Sequence, residues 1–156
     1  MESRQVILKF SNDLDYLRLV AGVSRLVCQA IKGKNIQEDF VDAVELAVCE
    51  ACSNAMVHAP YSAPSAEIVV IFQVLQDRLM IQVRDPGPGF DLDHVSLPDF
   101  EAHPETGYGI YLIKSMMDEV ENLKDEKHHT LVISTLAISK KSLRIEIMAL
   151  KTISCN

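Results

Sequence analysis

The chain has 156 residues, 48 % hydrophobic and 24 % charged, with a formal net charge of −7. Such numbers predict one soluble globular domain over residues 1–156, able to bury roughly 70 % of its unfolded surface, and they argue against direct nucleic-acid binding, which needs clustered Lys and Arg. No apolar run approaches the roughly 20 residues of a membrane span, and Met1-Glu2-Ser3-Arg4 opens no signal-peptide core, so no membrane association is expected and the cytoplasm is the expected compartment.

Residues 6–10 read as a first strand, and Ser11-Asn12-Asp13 as the N-cap cluster of a helix running from 14 to about 31. Leu14, Leu17, Val20, Ala21, Val23, Val27 and Ile31 recur on its inner face. Gly33-Lys34-Asn35 breaks it. A second helix spans about 37 to 59, with Phe40, Val41, Val44, Ala47, Val48, Ala51, Ala55 and Met56 inward, and prolines at 60 and 64 close it. Within it Cys49-Glu50-Ala51-Cys52 is formally C-x-x-C. A zinc site wants a second pair or nearby histidines, and a redox motif wants a strand-to-helix turn. Cys28, Cys49, Cys52 and Cys155 therefore read as small buried hydrophobes in a reducing compartment.

Two β-branched runs, 67–76 and 78–84, flank a polar turn at Asp77 and predict a hairpin. Residues 85–106 contain prolines at 86, 88, 98 and 104 and little periodicity. A loop of about twenty residues inside a compact domain is usually functional. A third helix is expected from 107 to about 119, carrying Ile110, Leu112, Ile113, Met116 and Met117, followed by strands near 120–123 and 130–138 and a mixed tail. The fold class expected is an α/β two-layer sandwich: a mixed, mainly antiparallel sheet covered on one face by three helices.

Three short stretches do not read as core. Glu50, Asn54 and His58 fall at i, i+4 and i+8, on one face of a helix otherwise dense in Ala, Val and Cys. A carboxylate and an amide in that setting suit Mg²⁺, which takes one or two protein oxygens and completes its shell with water and phosphates. An ordinary exposed helix face is the alternative, and His58 reads as a structural residue near the C-terminal dipole. Asp85-Pro86-Gly87-Pro88-Gly89 leaves a strand through an acid that could accept the exocyclic amine of a base, and Gly87 and Gly89 let backbone approach a ring. Gly107 and Gly109 open the third helix, where free N–H groups and the positive dipole end favour phosphates. Alone, each glycine pair is a turn. In this order the three stretches point to a nucleotide, although neither a P-loop nor a Rossmann fingerprint is present.

The stretches 45–58, 83–91 and 107–120 resemble the N box and two glycine boxes of the GHKL ATP-binding superfamily, in detail its small anti-sigma-factor serine/threonine kinases. The resemblance implies binding of ATP with Mg²⁺: Asn54 on the metal, Glu50 as catalytic base, Asp85 on the adenine amine, and Gly107 with Gly109 at the phosphates. It also implies a sigma factor and an antagonist protein as partners, the antagonist being phosphorylated on serine, partner exchange set by ATP versus ADP, and a homodimer. Where relatives have Gly-Thr, this chain has His129-Thr130, with Thr130 the expected contact on the adenine side. Several relatives carry a lysine or arginine in the lid before the second glycine box. Residues 92–106 contain neither, leaving His94, His103 and, further on, Lys114 as candidate cations. A cation-poor lid favours the alternative of a nucleotide-sensing partner switch with little kinase activity. A detached histidine-kinase catalytic domain is a third reading, against which the short lid and the third-helix sequence speak.

Overall fold

Alternation decides the architecture. In 79–85 every second residue is buried (Leu79, Ile81, Val83, Asp85), and in 129–135 His129, Leu131 and Ile133 do the same. Strands patterned this way bury one face and need helices to cover it. The computed structural model describes residues 4–31, 36–58, 66–89, 92 and 108–135. They form β1 (Arg4–Ser11), α1 (Tyr16–Gln29), α2 (Glu38–His58), β2 (Glu67–Val74), β3 (Leu79–Asp85), α3 (Gly109–Met116), β4 (Glu119–Lys124) and β5 (His129–Thr135). The sheet has five strands in the order β1-β2-β3-β5-β4, and its four neighbouring pairs are all antiparallel. The expected sandwich of one sheet and three helices is therefore observed.

Two hairpins frame the sheet. β2 turns into β3 through a Leu75 N–H bond to the Arg78 carbonyl at 2.9 Å. β4 turns into β5 around Asp125, whose Oδ1 accepts the N–H groups of Lys127 at 2.8 Å and His128 at 2.7 Å. These bonds, first that from Lys127, hold the Asp125 carboxyl below its ordinary pKa. The strand β3 pairs with β5 although α3 and β4 lie between them in sequence.

The core lies between α2 and the inner face of β2, β3 and β5. Ala43, Val44, Ala47, Val48, Ala51, Cys52, Ala55 and Met56 of α2 meet Ile68, Val70, Phe72, Ile81, Val83 and Ile133 of the sheet. Small residues on α2 bring its axis close to the strands, which leaves little room on its flanks for anything but chosen side chains. On α1, Val20 and Val27 are buried as the periodicity predicts, joined by Cys28 and by Ser24, whose hydroxyl donates to the Val20 carbonyl at 2.8 Å. Arg25 ties α1 to α2 through Asp42 at 2.7 Å, Glu45 at 2.6 Å and Glu38.

Several expected boundaries move. Leu14 is 62 % exposed and precedes the helix, which starts at Tyr16. The expected cap cluster does other work. Ser11 ends β1, the Asn12 amide donates to the Met56 carbonyl at 3.1 Å, and Asp13 Oδ1 accepts the Asp15 N–H at 3.0 Å. That local Asx turn delays the helix, and the N-cap, Asp15, makes no side-chain capping bond. The third helix begins at Gly109 and stops at Met116, because Glu119 is already paired with Ser134 in the sheet. Gly33-Lys34-Asn35, most of the 85–106 loop with His94 and His103, Gly107, Cys155 and the tail lie outside the described residues.

Candidate functional site

The three stretches singled out in the sequence converge along the last turns of α2. Glu50 and Asn54, half-buried, flank the buried stripe of that helix on the side facing α3. Gly109 is pressed against both: a Cβ there would lie 2.8 Å from Glu50 Oε2 and 3.1 Å from Asn54 Nδ2. One turn further along α2, about 6 Å by helical rise, the His58 backbone carbonyl borders Gly87, where a Cβ would come within 3.4 Å of it. His58 itself is exposed at the helix C-terminus. A carboxylate, an amide, a helix start and a strand-end acid thus line one side of a single helix.

Asp85 closes β3 with its side chain on the inner face and only 4 % of the residue exposed. Its Oδ1 accepts the Gly87 N–H at 2.7 Å, an Asx turn that folds the loop back over the carboxylate. A Cβ at 87 would stand 2.5 Å from that same oxygen, so a side chain there would displace the Asp85 carboxylate. Gly89 has φ +70, the left-handed region that glycine enters at no steric cost. At the other end, α3 starts at Gly109 after the N-cap Tyr108, a residue with no capping preference. The first N–H groups of a helix have no intrahelical acceptors and carry the positive dipole end. This helix start lies beside Glu50 and Asn54.

The second oxygen of Asp85 meets a residue that the sequence reading had not placed in the site. His129 Nδ1 lies 3.1 Å from Asp85 Oδ2, and His129 Nε2 contacts Asn122 Oδ1 on β4. His129 is 4 % exposed. Thr130, the expected contact, points the other way. It stands opposite Arg84 in the β3–β5 register, on the face away from the helices, where Arg84 Nη2 lies 3.1 Å from Asp125 Oδ2 and 3.0 Å from His128 Nδ1. Strand alternation is the reason, and it was available from the sequence: His129, Leu131 and Ile133 share a face, and the last two are core residues.

Lys114, a candidate cation, is exposed on α3 and donates from Nζ to the Leu92 carbonyl at 2.7 Å. Of the cysteines of α2, Cys52 is buried as expected and Cys49 is half-buried. Burial pushes the Cys49 thiol up to about 11, and Cys52, fully buried, is raised further. Such thiols stay protonated and are poor nucleophiles or metal ligands. Among the described residues no group of three or more His, Cys, Asp or Glu is placed to hold a metal ion, and no helix is long and apolar enough to cross a membrane.

The model of the histidine kinase-like ATPase domain matches residues 10–135, from the end of β1 to the end of β5. The chain belongs to this family. Among similar curated proteins, the Serine-protein kinase RsbW of Bacillus cereus (strain AH187) is 36 % identical over 97 residues, covering 56 % of this chain and 59 % of the relative. The protein of the same name from Bacillus thuringiensis (strain Al Hakam) is 35 % identical over 97 residues with the same coverage. The chain thus spans well under two thirds of the length of these curated relatives. Among solved structures, the histidine kinase domain of the blue-light activated histidine kinase from Erythrobacter litoralis EL346 superposes with a TM-score of 0.50 at 17 % identity, covering 81 % of this chain and 61 % of that one. This histidine kinase-like ATPase domain shares the architecture of that structure.

Proposed function

We propose that the chain binds ATP with Mg²⁺ along the last turns of α2 and acts as a serine/threonine protein kinase of the anti-sigma-factor type. The observation that carries this reading is the contact of Gly109 with Glu50 and Asn54, which joins a helix start to a carboxylate–amide pair. The donor set fits a hard cation: the Asn54 side-chain oxygen and the Glu50 carboxylate are the oxygen ligands or water acceptors that Mg²⁺ prefers. When bound, Mg²⁺ would neutralise phosphate charge. Asp85 would accept the exocyclic amine of the base, Gly87 and Gly89 would let the loop lie against the ring, and Gly107 with Gly109 would receive phosphates. Glu50 would take the proton of the incoming serine hydroxyl. The serine oxygen forms a bond to the γ-phosphorus as the bond to the ADP oxygen breaks, and ADP leaves with the electron pair.

The serine-protein kinase relatives support this class of reaction, and their resemblance extends the proposal to a sigma factor and an antagonist protein as partners, a homodimer and a cytoplasmic setting. A second reading is a nucleotide sensor that exchanges partners without phosphoryl transfer. One observation favours it: residues 92–106 hold no Lys or Arg, and the nearby Lys114 ammonium is engaged by the Leu92 carbonyl. Phosphoryl transfer depends strongly on cations at the terminal phosphates. Labelled ATP incubated with a candidate antagonist domain separates the two. Serine labelling that Glu50→Gln abolishes supports the kinase; nucleotide-dependent partner binding without labelling supports the sensor; absence of any ATP binding rejects both.

A further inference from the structure

We propose that His129 is the positioning residue at the base end of the pocket. In this role it holds the Asp85 carboxylate as a fixed acceptor that favours a purine with an exocyclic amine over one with an oxo group. The proposal rests on the nucleotide-binding reading above and assigns a role to a residue that the reading does not use.

Asp85 receives one donor on each oxygen, the Gly87 N–H on Oδ1 at 2.7 Å and His129 Nδ1 on Oδ2 at 3.1 Å. An ionised carboxylate has about four lone-pair sites, so each oxygen keeps capacity for one more donor. The imidazole is itself locked on three sides. Asp85 holds Nδ1, Asn122 of β4 holds Nε2, and the Gly89 backbone lies so close that a Cβ there would stand 2.6 Å from His129 Cδ2. The left-handed glycine thus serves the histidine as well as the loop.

The direction of the Nδ1 bond follows from its partner. An ionised carboxylate only accepts, and a bare Nδ1 would set lone pair against lone pair, so the proton sits on Nδ1. Asn122 accommodates this with either end of its amide, accepting from Nε2–H or, turned over, donating to a bare Nε2. The N–H at Nδ1 then stops the carboxylate from turning. An acceptor-only group in a buried site pairs with an amine and opposes an oxo oxygen, and buried mismatches of this kind discriminate strongly. Without the imidazole, Oδ2 loses its donor, and the carboxylate is free to rotate. That change relaxes the choice.

The test uses the full chain. Nitrogen NMR on histidine-labelled protein without nucleotide should show His129 protonated at Nδ1, with that resonance shifting in Asp85→Asn. Calorimetric titration with Mg·ATP and Mg·GTP then compares wild type with three variants. His129→Ala, and His129→Gln, which fills space but offers no donor at the Nδ1 place, should weaken ATP about tenfold while moving GTP less than about twofold. His129→Asn, whose amide can stand where Nδ1 stood, should restore most of the preference. An unprotonated Nδ1 overturns the proposal, as does a wild-type ATP/GTP ratio in the Gln variant or an equal loss of both nucleotides. A wild-type chain that binds neither nucleotide removes the nucleotide reading and this proposal with it.

Discussion

A Cβ placed on Gly109 would lie 2.8 Å from Glu50 Oε2, so a side chain there would push the Glu50 carboxylate from its place on the flank of α2. The clash in Gly109→Ala would fall on the end of a flexible carboxylate, and alanine suits a helix better than glycine. The ligand-free variant should therefore melt within a few degrees of wild type, while the rise in Tm on adding Mg·ATP shrinks or disappears. Thermal melts with and without Mg·ATP check this, and a full wild-type shift would sink it.

Asn54 and Glu50 should separate by readout. Asn54→Ala removes the expected metal oxygen and should abolish the Mg·ATP-dependent Tm shift. Glu50→Gln keeps the size of the side chain and should retain much of that shift while losing transfer to serine. Loss of ATP binding in both variants, with no difference in transfer, would reject separate roles.

Asp85→Ala should cost stability as well as nucleotide. It strips the acceptor from two buried donors, the Gly87 N–H and His129 Nδ1, and orphaned buried groups cost about 1–3 kcal/mol each. Urea denaturation of the ligand-free chain measures this. A midpoint equal to wild type would mean that the hydrogen bonds contribute nothing net.

The buried thiols predict a loss of stability in alkali. Burial raises Cys28 from 9.0 to about 12, and Cys49 from 9.0 to about 11. Above pH 9 the unfolded chain releases protons that the native chain keeps, so the native state binds more protons and stability falls as pH rises. For fully buried Cys28 the slope is about 1 kcal/mol per pH unit between roughly pH 9 and 12. Urea midpoints from pH 8 to 10.5 should fall less steeply in Cys28→Ala than in wild type, and parallel curves would contradict this.

Regular elements were legible in the sequence where burial enforces a period. The inward stripe of α2 and the alternation of β3 appear as expected because each has a dense apolar face that only one conformation can bury. Ends were less legible. Asp13 has the composition of a helix cap yet spends its side chain on a turn, a competition settled by a single local hydrogen bond. The candidate site was legible as three motifs but not as a contact, since nothing in 50–58 states that Gly109 will lie against it. The resemblance points to Thr130 on the adenine side, whereas strand alternation puts His129 on the inner face beside Asp85.

The pairing of β3 with β5 has a consequence for the order in which the molecule comes together. Hairpins β2–β3 and β4–β5 close over short loops, whereas Asp85 meets His129 only after the long excursion through α3 and β4. Non-local closure carries the larger entropic cost and sets the slow step of such topologies. Asp85 ends β3, whereas its imidazole partner lies on β5, the last described strand. A chain interrupted before residue 129 would carry all of Glu50, Asn54 and Asp85 and still lack a finished base pocket, and a ligand held there would reinforce the seam that closes last.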